Sequence, residues 1–443
     1  MTSLYSSDTI KTHIIDPVFN QSNQRSIFRL PNDTHILSNM RLGNIGATTT
    51  NATQTGTYIK NIGALGVIEN IHLMDKNNTV LDQLLNVPQF MAFKTFNRSN
   101  NKQKDNEPEL RQTAMGMTFG GETLVDGNGQ EVQAVGSRKI QRYGLNTANR
   151  YITKFDSTSS RAWVSVSDLL PFLKSMLVLD TSILRDLQLV IEYTTELGNY
   201  ANDETLGTYG TNQPFLIVDE HQGQPIPFEN TEYVSIEHDR INFNSVLPTP
   251  AQAQLNQQSV NRLNGFSNKS VSRMLLIKTP TLKTTFQSAV GNNNFYGALG
   301  SKAFFKEVCQ VRLNGMSVFP SNGISSDNER LAYLNDSWGQ CSSYPFSNGQ
   351  AYKASQTLDD RNLRIDTGNP IISELDYIGF NVNQNISDLQ IDFQRTGVYV
   401  NNVGLVDITN TASVNQAFIM NVYAEVNKQI VSDNNGSFII QYL

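Results

Sequence analysis

The residues of this sequence that could carry out acid–base or metal chemistry are few and stand apart. Five histidines occur among the 443 residues, namely His13, His35, His72, His221 and His238. Two short runs, Asp219-Glu220-His221 and Glu237-His238-Asp239, combine side chains of the types that metal ions bind. Successive residues of a strand point to opposite faces, so neither run is expected to surround one metal ion. His72 alternates with Ile71 and Leu73, which predicts that it faces away from them, toward solvent.

Two glycine-rich segments lack the residues that a phosphate-binding loop needs. Residues 116–121 contain no Lys-Ser or Lys-Thr pair, and residues 297–302 are followed by no strong helical pattern. Asp359-Asp360 and residues 433–436 contain ligand types of a calcium loop, but the latter suit a turn between Ile430 and Phe438 better. No Gly-x-Ser-x-Gly nucleophile motif occurs. We therefore predict no catalytic residue, no cofactor and no metal ligand, and expect that the protein is not an enzyme.

Charge and composition argue against several classes of protein. The net charge is −6, only 17% of residues are charged, and about one residue in nine is asparagine. A protein that wraps DNA needs clustered Lys and Arg to release counterions. The densest basic stretch, residues 137–142, is expected to be a solvated strand edge. Because Asn, Ser and Thr favour turns and strands over helix interiors, we predict no helical bundle. Because basic residues are not clustered, we also predict no specific nucleic-acid recognition.

The cysteines and the first residues indicate a reducing compartment. Cys309 and Cys341 are too few for a disulfide framework, and Cys309, flanked by apolar residues, is expected to be buried. Residues 1–12 lack the basic-then-apolar order of a secretory signal. No apolar run approaches the roughly 18 residues that cross a bilayer. We expect a protein that is made and kept in a cytosol-like compartment.

Short apolar or alternating runs, bounded by Gly, Asn, Asp or Pro, dominate the chain. Examples are residues 67–74, 162–166, 273–277, 308–313 and 417–423. Strands of this length predict an all-β sandwich or barrel. Asn314-Gly315 predicts a two-residue type I′ hairpin, and residues 75–78 occupy the matching place in the first half. Helical patterns are short, at residues 84–96 (beginning near Pro88), 168–176 and 326–338.

Matching segments indicate an internal duplication. Residues 184–191 resemble 386–393, and residues 212–218 resemble 415–421. Both offsets are about 202–203 residues, as two copies of one domain would give. A hairpin followed by a helix also recurs, at residues 71–96 and 311–338. We therefore predict two similar domains, residues 1–222 and 223–443, joined near residues 221–227, where glycine and two prolines interrupt the pattern.

Segments along nearly the whole chain resemble those of one protein family. They are Ile15-Asp16-Pro17 with residues 26–29, residues 69–73 and 91–96, residues 186–193, residues 306–315, and residues 421–428 with 436–442. In their order they resemble the double jelly-roll major capsid proteins of polintons, adintoviruses, polinton-like viruses and virophages, in the lineage that includes adenovirus hexon. The resemblance implies an all-β fold of two tandem eight-stranded jelly-roll sandwiches with a few short helices in loops.

The resemblance also implies a structural function. Such proteins form homotrimers of pseudo-hexameric outline that tile an icosahedral shell, which would place this chain in the virion after assembly in the host cytoplasm or nucleus. The implied partners are neighbouring capsomers, a single jelly-roll penton protein and minor capsid proteins. Residues 1–16 form a polar N-terminal arm, for which we hypothesise contacts between capsomers, or with an internal membrane or the genome. The family has no catalytic residues to carry over.

Two alternative functions stay open at this point. A carbohydrate-binding, lectin-like β-sandwich would need exposed aromatic rings on a concave face. The only tryptophans are Trp163 and Trp338, and Trp163, in an alternating strand, is expected to pack in the core. A twin-sandwich, glycan-processing hydrolase would need clustered carboxylates, and the acidic residues show no such grouping in the sequence.

Overall fold

The structure is a computed structural model of the chain. It describes residues 10–21, 24–50, 56–58, 63–96, 124–125, 131–132, 154–155, 162–176, 178–195, 201–203, 209–222, 231–243, 254–280, 307–320, 322–324, 327–338, 377–399, 405–406, 418–432 and 438–443.

The described part of the first half consists mainly of short strands. They are β1 (Ile10–Ile15), β2 (Phe19–Gln21), β3 (Arg25–Arg29), β4 (His35–Leu37), β5 (Arg41–Ile45), β6 (Ala47–Thr49), β7 (Gly56–Tyr58), β8 (Ile68–Met74), β9 (Val80–Leu85), β10 (Leu124–Val125), β11 (Glu131–Val132), β12 (Lys154–Phe155), β13 (Ala162–Ser165), β14 (Val178–Asp180), β15 (Gln188–Tyr193), β16 (Ala201–Asp203), β17 (Tyr209–Thr211) and β18 (Phe215–His221).

The strands described in the second half include several longer ones. They are β19 (Thr231–Phe243), β20 (Gln254–Leu263), β21 (Lys269–Pro280), β22 (Glu307–Leu313), β23 (Met316–Ser317), β24 (Tyr377–Ile386), β25 (Leu389–Tyr399), β26 (Leu405–Val406), β27 (Phe418–Ser432) and β28 (Phe438–Tyr442).

The described helices are short and follow the predicted positions closely. They are α1 (Val87–Phe96), α2 (Val166–Leu169), α3 (Phe172–Ser175) and α4 (Asp327–Trp338), with a 3₁₀ helix over Gly63–Val67. The single helix predicted at residues 168–176 is wrong, because α2 and α3 are separate. Leu170 between them is extended (φ −115°, ψ 100°), as expected for a residue that precedes a proline.

Four antiparallel sheets contain most of the described strands. Sheet 1 has the order β13-β5-β18-β4-β14 with β1 on β18, and sheet 2 has the order β2-β3-β15-β8-β9. Sheet 3 has the order β19-β27-β21-β24 with β28 on β27, and sheet 4 has the order β20-β25-β22-β23 with β26 on β25. Smaller ribbons join β6 to β17, β7 to β12 and β16, and β10 to β11.

The two halves repeat one strand topology. In sheet 1 strand β18 lies between β1 and β4, with β14 beyond; in sheet 3 strand β27 lies between β19 and β21, with β24 beyond. In the same way, β3-β15-β8-β9 of sheet 2 matches β20-β25-β22-β23 of sheet 4. Each half thus has eight principal strands in two packed sheets, with its first and last long strands adjacent. This arrangement confirms the predicted double jelly-roll fold class. The boundary between residues 222 and 223 stays a proposal.

One of the two sequence matches is shifted by a residue relative to the fold. Leu189 and Ile391, aligned by the 202-residue offset, both face a core. The other match aligns Val218, which is in the first core, with Asn421, which faces away from the second core toward the first half. Shifting an alignment by one residue exchanges the two faces of a strand. The residues of β27 that point into their core as Val218 does are therefore Met420 and Val422.

The predicted hairpins and the buried cysteine are confirmed. Asn314 (φ 52°) and Gly315 (φ 81°) form the two-residue turn between β22 and β23, in the conformation that type I′ turns need. In the first half, the Asp75 N–H donates to the Thr79 carbonyl, closing the turn between β8 and β9. Cys309 is fully buried.

The N-terminal arm is shorter than residues 1–16. Residues 10–15 form β1, which pairs along its length with β18, from Ile10 opposite His221 to Ile15 opposite Leu216. The Thr12 hydroxyl also donates to Asp219 at 2.6 Å. This segment therefore belongs to sheet 1, because its alternating residues fit the sheet edge. Any role as an arm is restricted to the residues before Ile10.

Sheet 3 is buried on both faces. Its inner face, with Met274, Leu276 and Val422, packs in the core of the second half. Its outer face, with Leu275, Ile277, Ile236 and Tyr423, belongs to the same apolar cluster as the core of the first half. Tyr233, near the start of β19, belongs to this cluster as well. The apolar interior of the first half therefore continues across the contact between the halves.

Candidate functional site

Strand β9 places a carboxylate at the contact between the two halves, called the junction below. Asp82 is fully buried, and its Oδ1 accepts a hydrogen bond from the Ser235 hydroxyl of β19 at 2.7 Å. Its Oδ2 accepts one from the Phe172 backbone N–H at 2.9 Å. Nearby, the Tyr233 hydroxyl donates to the Leu81 carbonyl at 2.7 Å. One carboxylate thus joins β9 and α3 of the first half to β19 of the second.

The protonation of Asp82 depends on burial and on its hydrogen-bond donors. Burial raises the pKa of Asp82 from 3.8 to about 6, and the donors from Phe172 and Ser235 oppose this only in part. The charge of Lys428 and the backbone N–H of Gln83 oppose it further. A raised pKa in the folded state means that the folded protein binds this proton more tightly than the unfolded chain. The resulting stability is fully present below pH 3.8 and is lost as the pH rises through about 6.

The Asp82→Asn variant tests this titration. Between pH 7.5 and pH 5, the unfolding free energy of the parent protein should rise relative to the variant by on the order of 1 kcal/mol. Urea unfolding of both proteins at the two pH values measures this. Asp33→Asn is the control, since it also replaces one aspartate by asparagine, but at a side chain that is 69% exposed. An equal difference between parent and Asp82→Asn at both pH values would contradict the account.

A second polar contact crosses the junction beside the first. The Asn86 amide donates to Asn421 Oδ1 at 3.0 Å, and His238 Nε2 donates to the same oxygen at 2.9 Å. The Tyr423 hydroxyl donates to the Asn86 carbonyl at 3.0 Å. Asn86 has φ 53°, a conformation that asparagine tolerates better than most residues. Burial lowers the pKa of His238, which favours the neutral ring in this contact.

Aromatic rings fill the junction on the side of α1 and α4. Trp338, the last residue of α4, makes edge contacts with Phe90 and Phe93 of α1, at centroid distances of 6.1 and 5.7 Å. Its indole N–H donates to the Met274 carbonyl at 2.9 Å. The Arg273 guanidinium lies 4.1 Å from its ring centroid. Trp338 therefore ties a helix of each half to sheet 3.

A buried ion cluster joins strands β19, β21 and β27 of sheet 3. Glu237 is 3.0 Å from the Lys428 ammonium and 2.5 Å from that of Lys269. The Tyr442 ring lies 4.9–5.0 Å from both ammonium groups. Burial opposes ionisation of Glu237, but the two lysines outweigh it and hold its pKa below the usual value. Lys428 also acts on Asp82, so the cluster and the junction carboxylate share one electrostatic environment.

The structure brings no three metal-binding side chains together within its described residues. The histidines lie apart: His13 is 2.6 Å from Glu220, His35 is 3.9 Å from Asp180, and His72 is 3.6 Å from Glu192. His72 faces away from Ile71 and Leu73 as predicted, but its side chain is only 13% exposed. The expectation that it points to solvent is wrong, because Gln83 and Glu192 flank it.

Trp163 does not pack in the core. Its neighbours Ala162 and Val164 face inward, whereas Trp163 faces outward and is 38% exposed. The prediction that Trp163 packs in the core is wrong, because Ala162 and Val164 occupy the inward positions of β13. Its ring stands edge-on against Phe215, 5.6 Å away.

Several predictions concern residues that the structure does not describe. They are Cys341, Asp359-Asp360, residues 116–121, 137–142, 297–302 and 433–436, and most of the linker at 221–227. Within the described residues, no helix combines the length and apolar character needed to cross a membrane.

Sequence reasoning missed the junction residues. A signal existed for Asp82, the one charged residue in the apolar run 80–85. Asn421 gave no such signal, because it shares the polar phase of β27 with Glu425 and Asn427. Lys428 did give one, because it stands in the apolar phase of the strand.

Comparison with known proteins shows likeness in structure alone. No family model matches the sequence, and no curated protein sequence matches it. The structure is similar to the mavirus major capsid protein, with 11% identity over 99% of this chain and 90% of that chain, at a TM-score of 0.51. It is also similar to the Faustovirus major capsid protein, with 9% identity over 98% of this chain and 92% of that chain, at a TM-score of 0.51. At these identities the likeness shows the fold.

Proposed function

We propose that this protein is a viral major capsid protein whose two jelly rolls form one rigid tile. The observation that carries the proposal is the junction, where one apolar core continues from the first half onto the outer face of sheet 3. A shell subunit has to keep two lobes in fixed relation, whereas a mobile pair of domains needs no shared core. The likeness to two major capsid proteins over nearly the whole chain supports the same function.

In this proposal the chain works by assembly and performs no turnover. Three copies form a trimer with six similar lobes, closed by head-to-tail contacts. The partners are neighbouring capsomers in the virion, a single jelly-roll penton protein and minor capsid proteins, after assembly in the host cytoplasm or nucleus. The arm that we propose for contacts with an internal membrane or the genome is limited to the residues before Ile10, since β1 is part of sheet 1.

The mass of the purified protein in solution tests the proposal. We expect three times the chain mass of 49.4 kDa at micromolar concentration, since a shell tile must be stable before it packs with others. Native mass spectrometry and light scattering measure it. A monomer at all concentrations that can be reached would contradict the proposal.

One observation favours the lectin-like alternative. Trp163 is 38% exposed and stands edge-on against Phe215 on one sheet face, as an aromatic ring in a sugar-binding sandwich would.

A further inference from the structure

The edge of sheet 2 that β3 forms is covered by a further strand of the same half. Strand β2 pairs with β3 in antiparallel orientation, and Phe19 lies opposite Ile27. Asn20 lies opposite Ser26 and accepts a hydrogen bond from the Ser26 hydroxyl at 2.7 Å. Under this cover Ser26 is fully buried and Ile27 is half-buried. A short, neutral strand is therefore sufficient to cover this edge.

The matching strand of the second half is β20, and the two strands align residue by residue. Ile27 and Val260 lie opposite residues of β15 and β25 that are 202 positions apart, which is the offset of the repeat. The same holds for Ser26 and Ser259. Ser259 therefore occupies the place of Ser26, and Val260 occupies the place of Ile27.

Within the described part of the chain, the outer edge of β20 lacks such a cover. No described strand pairs with it on the side away from β25. Val260 is 57% exposed, and Ser259 is only half-buried. Where the first half turns back into β2, residues 254–257 instead continue along β25, from Gln254 opposite Val398. The chain therefore does not fold back onto this edge at the place where β2 does.

The sequence of β20 leaves this edge open to pairing. Edge strands are usually protected by charged residues, by proline or by a covering element. The edge strand β19 of sheet 3 carries Glu232, Asp239 and Arg240. Strand β20 is ten residues long, contains no proline, and has Arg262 as its single charged residue. It is thus a long edge strand with little to prevent another strand from binding.

The chemistry of β20 also fits a second copy of itself. The strand that covers the matching edge, β2, reads Phe-Asn-Gln, and β20 is likewise neutral and rich in amides over most of its length. Antiparallel pairing of two copies about Ser259 places Val260 of each copy opposite Gln258 of the other. Arg262 then lies opposite Asn256, so the two guanidinium groups are about 20 Å apart along the strands. Since this exceeds the Debye length at physiological salt, the copies do not repel each other.

We propose that the outer edge of β20 pairs antiparallel with the same edge of a second copy of this chain, centred near Ser259, so that sheet 4 continues through both copies. The inference rests on the proposed function and deepens it by assigning a contact between capsomers. A contact between two identical edges is isologous and has twofold symmetry. It therefore joins two trimers and is distinct from the head-to-tail contacts that close one trimer.

The test places like charges on the edge. Gln258→Lys/Val260→Lys sets two pairs of lysines opposite each other, and it should raise the concentration at which half of the trimers associate by roughly tenfold or more. Gln441→Lys/Ile439→Lys is the matched control, since it changes a glutamine and an aliphatic residue at alternate exposed positions of β28. Association should be unchanged in this control. Sedimentation equilibrium measures the mass, and thermal unfolding shows whether each variant is folded.

Mixing two variants of opposite charge gives the sharpest readout. Gln258→Glu/Val260→Glu should fail to associate alone for the same reason as the lysine variant. An equal mixture of the two should associate at least as well as the wild type, because each pair across the edge is then of opposite charge. Partners other than a second β20 edge would not produce this recovery.

Hydrogen exchange of the wild type tests the contact without any substitution. The backbone N–H groups of β20 that point away from β25 should gain protection as the concentration rises and trimers associate. Trimers that never associate further, association that the lysine variant does not weaken, or a mixture that does not recover would overturn the inference and leave the proposed function standing. A wild type that is monomeric at every concentration would contradict the proposed function as well.

Discussion

Replacing Trp338 by alanine is expected to lower the free energy of unfolding by about 3 kcal/mol, the lower end of the range for large aromatic side chains, because Trp338 is partly buried. The change removes the edge contacts with Phe90 and Phe93 and leaves the Met274 carbonyl without its indole donor. Since those contacts cross the junction, the two halves should also become less coupled. Urea unfolding followed by far-UV circular dichroism should then change from one transition to two.

The other tryptophan supplies the control. Trp163→Ala removes a side chain that is 38% exposed and packs mainly on Phe215, so its cost should be within about 1.5 kcal/mol. Trp338→Phe should give an intermediate loss, since it keeps apolar volume but not the N–H donor. Equal losses for the two alanine variants would show that Trp338 does not hold the junction together.

Replacing Lys428 by methionine is expected to cost about 3 kcal/mol, because it leaves Glu237 buried with one fewer positive partner. Lys428 is 4% exposed, and its ammonium lies 3.0 Å from Glu237. Lys269 stays at 2.5 Å, which keeps the loss below that of a fully unpaired carboxylate. The Lys428→Met/Glu237→Gln double variant should recover at least about 1 kcal/mol relative to Lys428→Met. The buried carboxylate is then gone, and Lys269, which is 20% exposed, keeps its bond to the Gly265 carbonyl.

The Lys428→Met variant should also differ from the parent protein in its unfolding by acid. The two lysines hold the pKa of Glu237 below 4.5, so its contribution to stability is present above pH 4.5 and is lost as the pH falls through the folded-state value. Without Lys428 that value rises, and acid unfolding should begin at a higher pH. Lys269→Met is the matched control, and its loss should be smaller, since Lys269 is 20% exposed. A larger loss for Lys269→Met would contradict the assigned role of Lys428.

The sequence was sufficient to predict the local structure and much of the repeat. Asn314-Gly315 predicts its hairpin because few other residue pairs adopt positive φ at both positions. The segment 184–191 matches 386–393 because both strands place their apolar residues in equivalent cores. These features depend on local backbone preferences and on the burial of one face of each strand. Burial of one face is visible in the sequence, because apolar residues then recur at every second position.

The junction could not be predicted in the same way. In β19 the polar residues Ser235 and Glu237 read as a solvent face, yet both are buried, one by Asp82 and the other by two lysines. Alternation shows that a strand has two faces and does not show what covers the polar one. The same limit explains Trp163, for which an alternating strand suggested core packing although its neighbours Ala162 and Val164 occupy the core side.

Electron microscopy of the purified protein tests the central claim most directly. Class averages of negatively stained particles should show threefold units with six lobes of similar size at the rim. Single particles with two lobes, or rings whose lobe number is not six, would contradict the account of two fused jelly rolls acting as one shell tile.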